Sequence, residues 1–263
     1  MSKGTLFWGS VLILVGAVLL LDNLGLLGGI NIWGIIWPLV IIALGVWIIW
    51  GNYFRKPPAS ESVSIPMENA SQAHLHLQHG AGRLTLYAGA APDELLAGDF
   101  GGGVEVDKRR EGDSLRIKMN SPVQFLPFSW YPGYSLDWKI ALSRDIPLSL
   151  ELETGASETR LDLDDLRISE LRLKTGASST NVNLPANAGI TRVMVESGAA
   201  SVDIRIPQGV AARIRSRGGL SSLSLDRSRF PRTGDIYQSA DYDAAPNKVD
   251  LDVQMGVGSV TIH

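Results

Sequence analysis

The chain has 263 residues, 19% of them charged, a net charge of −3 and no cysteine. The missing cysteines exclude disulfides, thiolate metal sites and cysteine nucleophiles. A mild negative charge with no basic block leaves nucleic acid without an electrostatic footprint.

The length suffices for a membrane unit and one soluble domain with its own core. Apolar residues concentrate in the first fifty positions, where the only charges are Lys3 and Asp22. Two runs stand out there, Thr5 to Leu21 and Ile30 to Trp50. As helices they reach roughly 26 Å and 32 Å, against a hydrocarbon core of about 30 Å. The spacing predicts a two-helix transmembrane hairpin over 1–54, with helices at about 5–22 and 30–50. Trp8, Trp33, Trp37, Trp47, Trp50 and Tyr53 fall near the ends of the runs, where interface anchors sit. A cleaved leader is the competing reading of the first run, but no small-residue cleavage site follows it and a second apolar run comes at once. Lys3 precedes the hairpin and Arg55 and Lys56 follow it, whereas the connecting loop carries only Asp22. The positive-inside rule then puts both termini in the cytoplasm of a multi-pass membrane protein.

Residues 55–72 are polar, hold three prolines and read as a semi-extended linker. From 73 to 263 the pattern becomes strict alternation. The segments LHLQHGAGRLTLY (from Leu75), LELETGASETRLDL (Leu150), LRLKTGASSTNVNL (Leu171), VMVESGAASVDIRI (Val193), ARIRSRGGLSSLSL (Ala212) and LDVQMGVGSVTIH (Leu251) share one plan. Each is apolar-x-apolar, a polar step, a glycine, small residues, then apolar-x-apolar. Their turn glycines are Gly80, Gly155, Gly176, Gly198, Gly219 and Gly256, and the four from Gly155 to Gly219 are spaced 21, 22 and 21 residues apart. A fixed period of this size predicts stacked repeats, that is, an all-β, single-stranded β-solenoid or parallel β-helix-like domain. Insertions at about 90–147 and 227–248 interrupt the array. The first contains Phe125, Phe128, Trp130, Tyr131, Tyr134 and Trp138 within fourteen positions. That cluster reads as a cap over an open solenoid end or as a surface patch at the bilayer.

Chemistry is scarce. His74 and His76 share the polar face of a strand near His79, a pattern that can hold a metal, although exposed histidines are the ordinary outcome of alternation. Asp162, Asp164, Asp165, Asp203, Asp226, Asp250 and Asp252 recur among arginines and lysines, which favours cross-rung ion pairs over a calcium ladder. The run Gly98 to Gly103 lacks the lysine of a phosphate loop. Serine, histidine and aspartate occur without the spacing of a nucleophile elbow. The reading is therefore of no enzyme, no metal and no cofactor.

The TGAS-type units, the GGLSSLSL segment and the ending YxxxDYDxAxNKVDLDVxxGVGSVTIH (from Tyr237) resemble the LiaF-like "toast-rack" β-domain of bacterial membrane proteins. WGxxLILxGxxLLLxNLG (from Trp8) and WPLVIIALG (from Trp37) are similar to the transmembrane region that accompanies it. The resemblance implies a non-enzymatic, membrane-anchored regulator or scaffold of the cell-envelope stress response to cell-wall-active antibiotics. In LiaF-type members this means negative regulation of a membrane histidine kinase, and such members typically carry four membrane segments where this chain shows two. The expected partners are the lipid bilayer, a membrane or signalling protein such as a histidine kinase, and a second copy of the chain, with no nucleic acid. The alternative is an extracytoplasmic glycan- or lipid-binding, adhesin-like module.

Overall fold

A computed structural model describes residues 60–122 and 136–263, together with residues 37, 38, 40–42 and 45 of the N-terminal unit, which are helical. Among the described residues no helix is long and apolar enough to cross a membrane. The two expected spans lie almost wholly outside them, as do Trp8, Trp33, Trp47, Trp50 and Tyr53, while Trp37 stands exposed on its helical stretch.

The β-unit is built from thirteen strands: β1 (Glu61–Pro66), β2 (Gln72–Ala88), β3 (Glu94–Phe100), β4 (Glu105–Glu111), β5 (Ser114–Asn120), β6 (Trp138–Leu142), β7 (Leu148–Asp162), β8 (Ile168–Asn183), β9 (Ile190–Arg205), β10 (Ala211–Leu225), β11 (Arg232–Thr233), β12 (Ile236–Gln238) and β13 (Lys248–Ile262). Six of these, β2, β7, β8, β9, β13 and β10, are long, mutually parallel and in register.

Simple lengths show that a long strand is not straight. β7 has 15 residues, about 46 Å if extended at ~3.3 Å per residue. Its parallel neighbour starts with Ile168 opposite Leu148. Only residues 163–167 carry the chain from the end of β7 back to that start, and such a connection reaches at most about 20 Å. The strand must therefore fold back on itself. The burial pattern marks where. Leu148, Leu150, Leu152 and Thr154 are buried at even positions, Gly155 and Ala156 are both exposed, and burial resumes at the odd positions Ser157, Thr159 and Leu161. One extra outward residue at the glycine flips the phase, so both arms of the rung face the same interior. β8 and β9 repeat this. The outgoing arms contribute Leu75, Leu77, Leu150, Leu152, Leu171, Val193, Val195 and Leu251, the return arms Leu84, Leu86, Leu161, Val182, Ile204 and Ile262, and all belong to one continuous core. The domain is thus a solenoid-like stack of parallel rungs, as the repeat pattern predicts.

Three features depart from the sequence reading. First, residues 61–66 of the expected linker form β1, antiparallel to β3. Val63 and Ile65 turn inward and Ile65 is buried, and Pro66 stands at the strand end. Second, the stretch 90–147 does not interrupt the array. Its described strands extend it: β6 and β3, with β1 paired outside them, continue the sheet beyond the return arm of β2, while β5 and β4 continue it beyond the outgoing arm. Third, β13 enters between β9 and β10. The 21-residue step from Gly198 to Gly219 suggests adjacent rungs. A connection of residues 206–210 reaches about as far as 163–167, though, and two rung spacings amount to only ~9.6 Å. The spacing is therefore indifferent to whether one rung is skipped.

Candidate interaction surface

The turn glycines form a ladder up the stack. Gly155 falls between the pairs His79↔Thr154 and Ala81↔Ala156, opposite Gly80, and Gly176, Gly198 and Gly256 continue the row. A Cβ on Gly176 would lie 2.9 Å from the Gly155 carbonyl oxygen, on Gly198 3.2 Å from that of Gly176, and on Gly256 2.8 Å from that of Gly198. A Cβ on Gly155 would clash with the Gly80 carbonyl, while at Gly80 it would meet nothing within 4 Å. Each Cα–H therefore points at the previous rung, and glycine is required by close backbone approach. The backbone of Gly219 stands in the same row on β10.

Beside this ladder runs an open trough of about 1130 Å³. Its floor combines the glycines with the residue two places before each: Gln78, Glu153, Lys174, Glu196, Gln254 and Arg217. These six stand directly opposite one another on successive rungs, a row about 24 Å long at ~4.8 Å per rung. Gln78 Nε2 donates to Glu153 (2.9 Å), and Lys174 Nζ donates to Glu151 (3.1 Å) and Glu153 (3.4 Å). Burial would raise the Glu153 carboxyl, but the hydrogen bonds from Gln78 and Lys174 bring it below its ordinary value. Bonding to Glu151 and Glu153 raises the Lys174 ammonium. Arg217 reaches Asp252 on β13 at 3.7 Å. Glu196, at the centre of the row, makes no ion pair among the described residues.

One step nearer the glycine, the positions turn inward and are occupied by His79, Thr154, Thr175, Ser197 and Met255. Thr175 Oγ1 donates to Ser197 Oγ at 3.0 Å. His79 packs on Trp138 with ring centroids 5.0 Å apart, and its Nε2 lies 2.8 Å from the Leu136 carbonyl oxygen. Burial lowers the His79 pKa, against the Leu136 hydrogen bond and the Asp137 charge.

The expected histidine trio is thereby divided: His74 is exposed, His79 belongs to the core, and only His76 approaches other ligand atoms, those of Glu151 and Glu153. The Lys174 ammonium already bonds both glutamates, so a cation would compete with a fixed positive charge. The aspartates do not align into a ladder. Asp250 and Asp252 face Arg213 and Arg217 across rungs, Asp203 meets His263, Asp162 accepts from Asn183, Asp165 nears Arg144, and Asp226 accepts from Ser228. Of the aromatic cluster, Phe125, Phe128, Trp130, Tyr131 and Tyr134 lie outside the described residues. Trp138 is neither cap nor surface patch. It is fully buried on β6, edge-on to Phe100, because it falls on the inward phase of that strand.

The residues of the closing motif around Tyr242 act as fasteners. Arg213 lies over the Tyr242 ring at 4.1 Å and Lys248 Nζ over it at 5.4 Å, while Lys248 donates to the Tyr242 and Asp243 carbonyls. Burial and the Asp250 carboxylate push the Tyr242 phenol up to about 12. Asn247 Oδ1 accepts from the Gly189 N–H, tying the start of β13 to that of β9. Arg229 donates to four carbonyls, those of Ile206, Pro207, Val210 and His263. The polar row of the trough escaped the sequence reading, although its signal was present: its members stand two places before the glycine in each aligned repeat.

Comparison with known proteins agrees with this architecture. Residues 54–205 match the family model for the N-terminal domain of toast_rack, and residues 7–62 match the LiaF transmembrane domain. No curated protein matches the sequence. The fold is similar to a crystal structure from Clostridium sporogenes ATCC 15579, provisionally described as a cell adhesion protein, at 20% identity and TM-score 0.72, covering 78% of this chain and 98% of that one. A provisionally described adhesin from Bacteroides fragilis NCTC 9343 aligns at 8% identity and TM-score 0.21 over 78% of this chain and 99% of its own. With the toast-rack model matching more than half of its length and a LiaF transmembrane match assigning it to the membrane, the chain belongs to the LiaF-like toast-rack family.

Proposed function

We propose that the protein is a non-enzymatic, membrane-anchored regulator or scaffold of the bacterial cell-envelope stress response, and that its β-domain acts by binding a membrane signalling protein. The observation that carries this reading is the trough. It is a continuous surface crossing six rungs, part polar and part apolar, floored by bare backbone and offering carboxylate, ammonium and guanidinium groups at fixed spacing. Fixed opposite charges of this kind select a partner by complementarity rather than by apolar area. Two N-terminal helices hold the domain at the bilayer with both termini in the cytoplasm. Affinity purification of the full chain from mild detergent, with and without a cell-wall antibiotic, is expected to recover a membrane signalling protein. The same purification with Glu196→Arg is expected to lose it. Recovery of no membrane partner under either condition would refute the reading.

A second reading is an extracytoplasmic glycan- or lipid-binding module. The fold of the Clostridium protein favours it, since that protein's description assigns it to adhesion. A reporter enzyme fused after His263 separates the two: activity confined to the outside of the cytoplasm selects the second, activity inside selects the first.

A further inference from the structure

An open sheet has edges, and an unpaired edge presents a row of N–H and C=O groups that can template pairing with another chain. Most edges of this sheet are guarded. β4 is exposed along its whole length and carries Glu105, Asp107, Lys108, Arg109, Arg110 and Glu111 in seven positions. β1 is short and ends on Pro66. β11 and β12 have two and three residues. The return arm of β10 differs. Its residues 220–225 pair with β13 on one side, and β12 pairs with β10 only at Arg213 and Ile214 on the outgoing arm, although Ile236 and Tyr237 stand near Leu223. Among the described residues no strand pairs with the other side of 220–225. That edge reads LSSLSL, with no charge, no proline and no glycine. Ser222 and Ser224 are exposed, and Leu223 and Leu225 are half-buried against the core.

We propose that this edge is a self-association site, and that a second copy of the chain pairs its own β10 return arm antiparallel to it across a two-fold axis normal to the sheet. At its centre the sequence matches itself, while towards the end Leu225 falls opposite position 221. A two-fold normal to the sheet keeps outward residues outward and inward residues inward, so directly opposed positions share parity. With the axis at Leu223, that residue meets its own copy on the core side and Ser222 faces Ser224 on the solvent side. Leucine then extends the core of one copy into that of the other, hydroxyl meets hydroxyl, and no like charges are opposed. The pairing is isologous and closed, so it stops at a dimer. Six residues of edge make a small contact, and confinement to a bilayer supplies the effective concentration that such a contact requires.

The test uses the full chain reconstituted in phosphatidylcholine vesicles. The protein has no cysteine, so Gln208→Cys in the exposed turn before β10 gives a unique site for donor and acceptor dyes. Energy transfer between copies is expected for this otherwise native chain. S222K/S224K places lysines opposite lysines and is expected to reduce the transfer at least tenfold. The exposed positions leave the fold intact, and an unchanged far-ultraviolet circular dichroism spectrum verifies that. Mixing S222K/S224K with S222E/S224E is expected to restore the transfer through opposed Lys–Glu pairs. No transfer in the native edge, transfer unaffected by the lysines, or failure of the charge-swapped mixture would each overturn the proposal. The second of these would place association elsewhere in the chain.

Discussion

Alanine substitution along the glycine ladder turns the rung geometry into a graded stability series. At Gly155 the new methyl runs into the Gly80 carbonyl, at Gly176 it lies 2.9 Å from the Gly155 oxygen, at Gly198 3.2 Å from the Gly176 oxygen, and at Gly80 nothing lies within 4 Å. None of the four has a positive φ, so alanine fits the backbone conformation and only the neighbouring rung resists. Alanine lowers the entropy of the unfolded chain, which stabilises by about 0.4–1 kcal/mol. Forcing backbone apart in a packed sheet costs about 1–3 kcal/mol. Gly80→Ala is therefore expected to be neutral or stabilising by up to about 1 kcal/mol. Gly198→Ala should lie near zero, and Gly176→Ala and Gly155→Ala should destabilise by about 1 and about 2 kcal/mol, the overpacking values less the entropic gain. At about 2–4 °C per kcal/mol for a domain of this size, the two ends of the series differ by roughly 4–12 °C in Tm. Thermal unfolding of the full chain in detergent, followed by the β signal in far-ultraviolet circular dichroism, measures this. Equal Tm values for Gly80→Ala and Gly155→Ala would refute the reasoning, because the two positions differ only in whether a rung lies beneath them.

Arg229→Ala, which leaves the Ile206, Pro207 and Val210 carbonyls without their charged donor, is expected to destabilise by about 1.5–3 kcal/mol in urea unfolding. Lysine should not restore the loss, since it lacks the planar fork; full rescue by Arg229→Lys would contradict the clamp. For His79, burial lowers the folded pKa below the unfolded value near 6.5. The unfolded chain then binds the proton first, so this group's contribution to stability is intact above about pH 6.5 and is lost as pH falls through the interval below it. His79→Thr, which installs the residue that β7 and β8 carry at the matching position, is expected to flatten that part of the stability–pH curve. Identical acid-side slopes for the two proteins would show that His79 does not titrate on unfolding.

The alternation of LELE and LDLD, with a glycine where the phase flips, determined by itself that the soluble part is β, which residues face the core and where each rung bends. These are local properties: a two-residue period fixes the face, and two consecutive outward residues mark a turn of the chain. Cross-rung ion pairs such as Arg213 with Asp250 and Arg217 with Asp252 were legible from the mixed charges on that face. The order of the rungs was not. A five-residue connection reaches one spacing or two, so only the packed structure decides that β13 separates β9 from β10. Trp138 was misplaced for a related reason. Its five aromatic predecessors colour the segment as surface, but its own side chain is set by the inward phase of a strand whose partners, β2 and β3, lie far off in sequence. The trough belongs to the same class. Gln78 and Arg217 stand 139 positions apart in the sequence, and it is the in-register stacking of the arms between them that lines them up into one row.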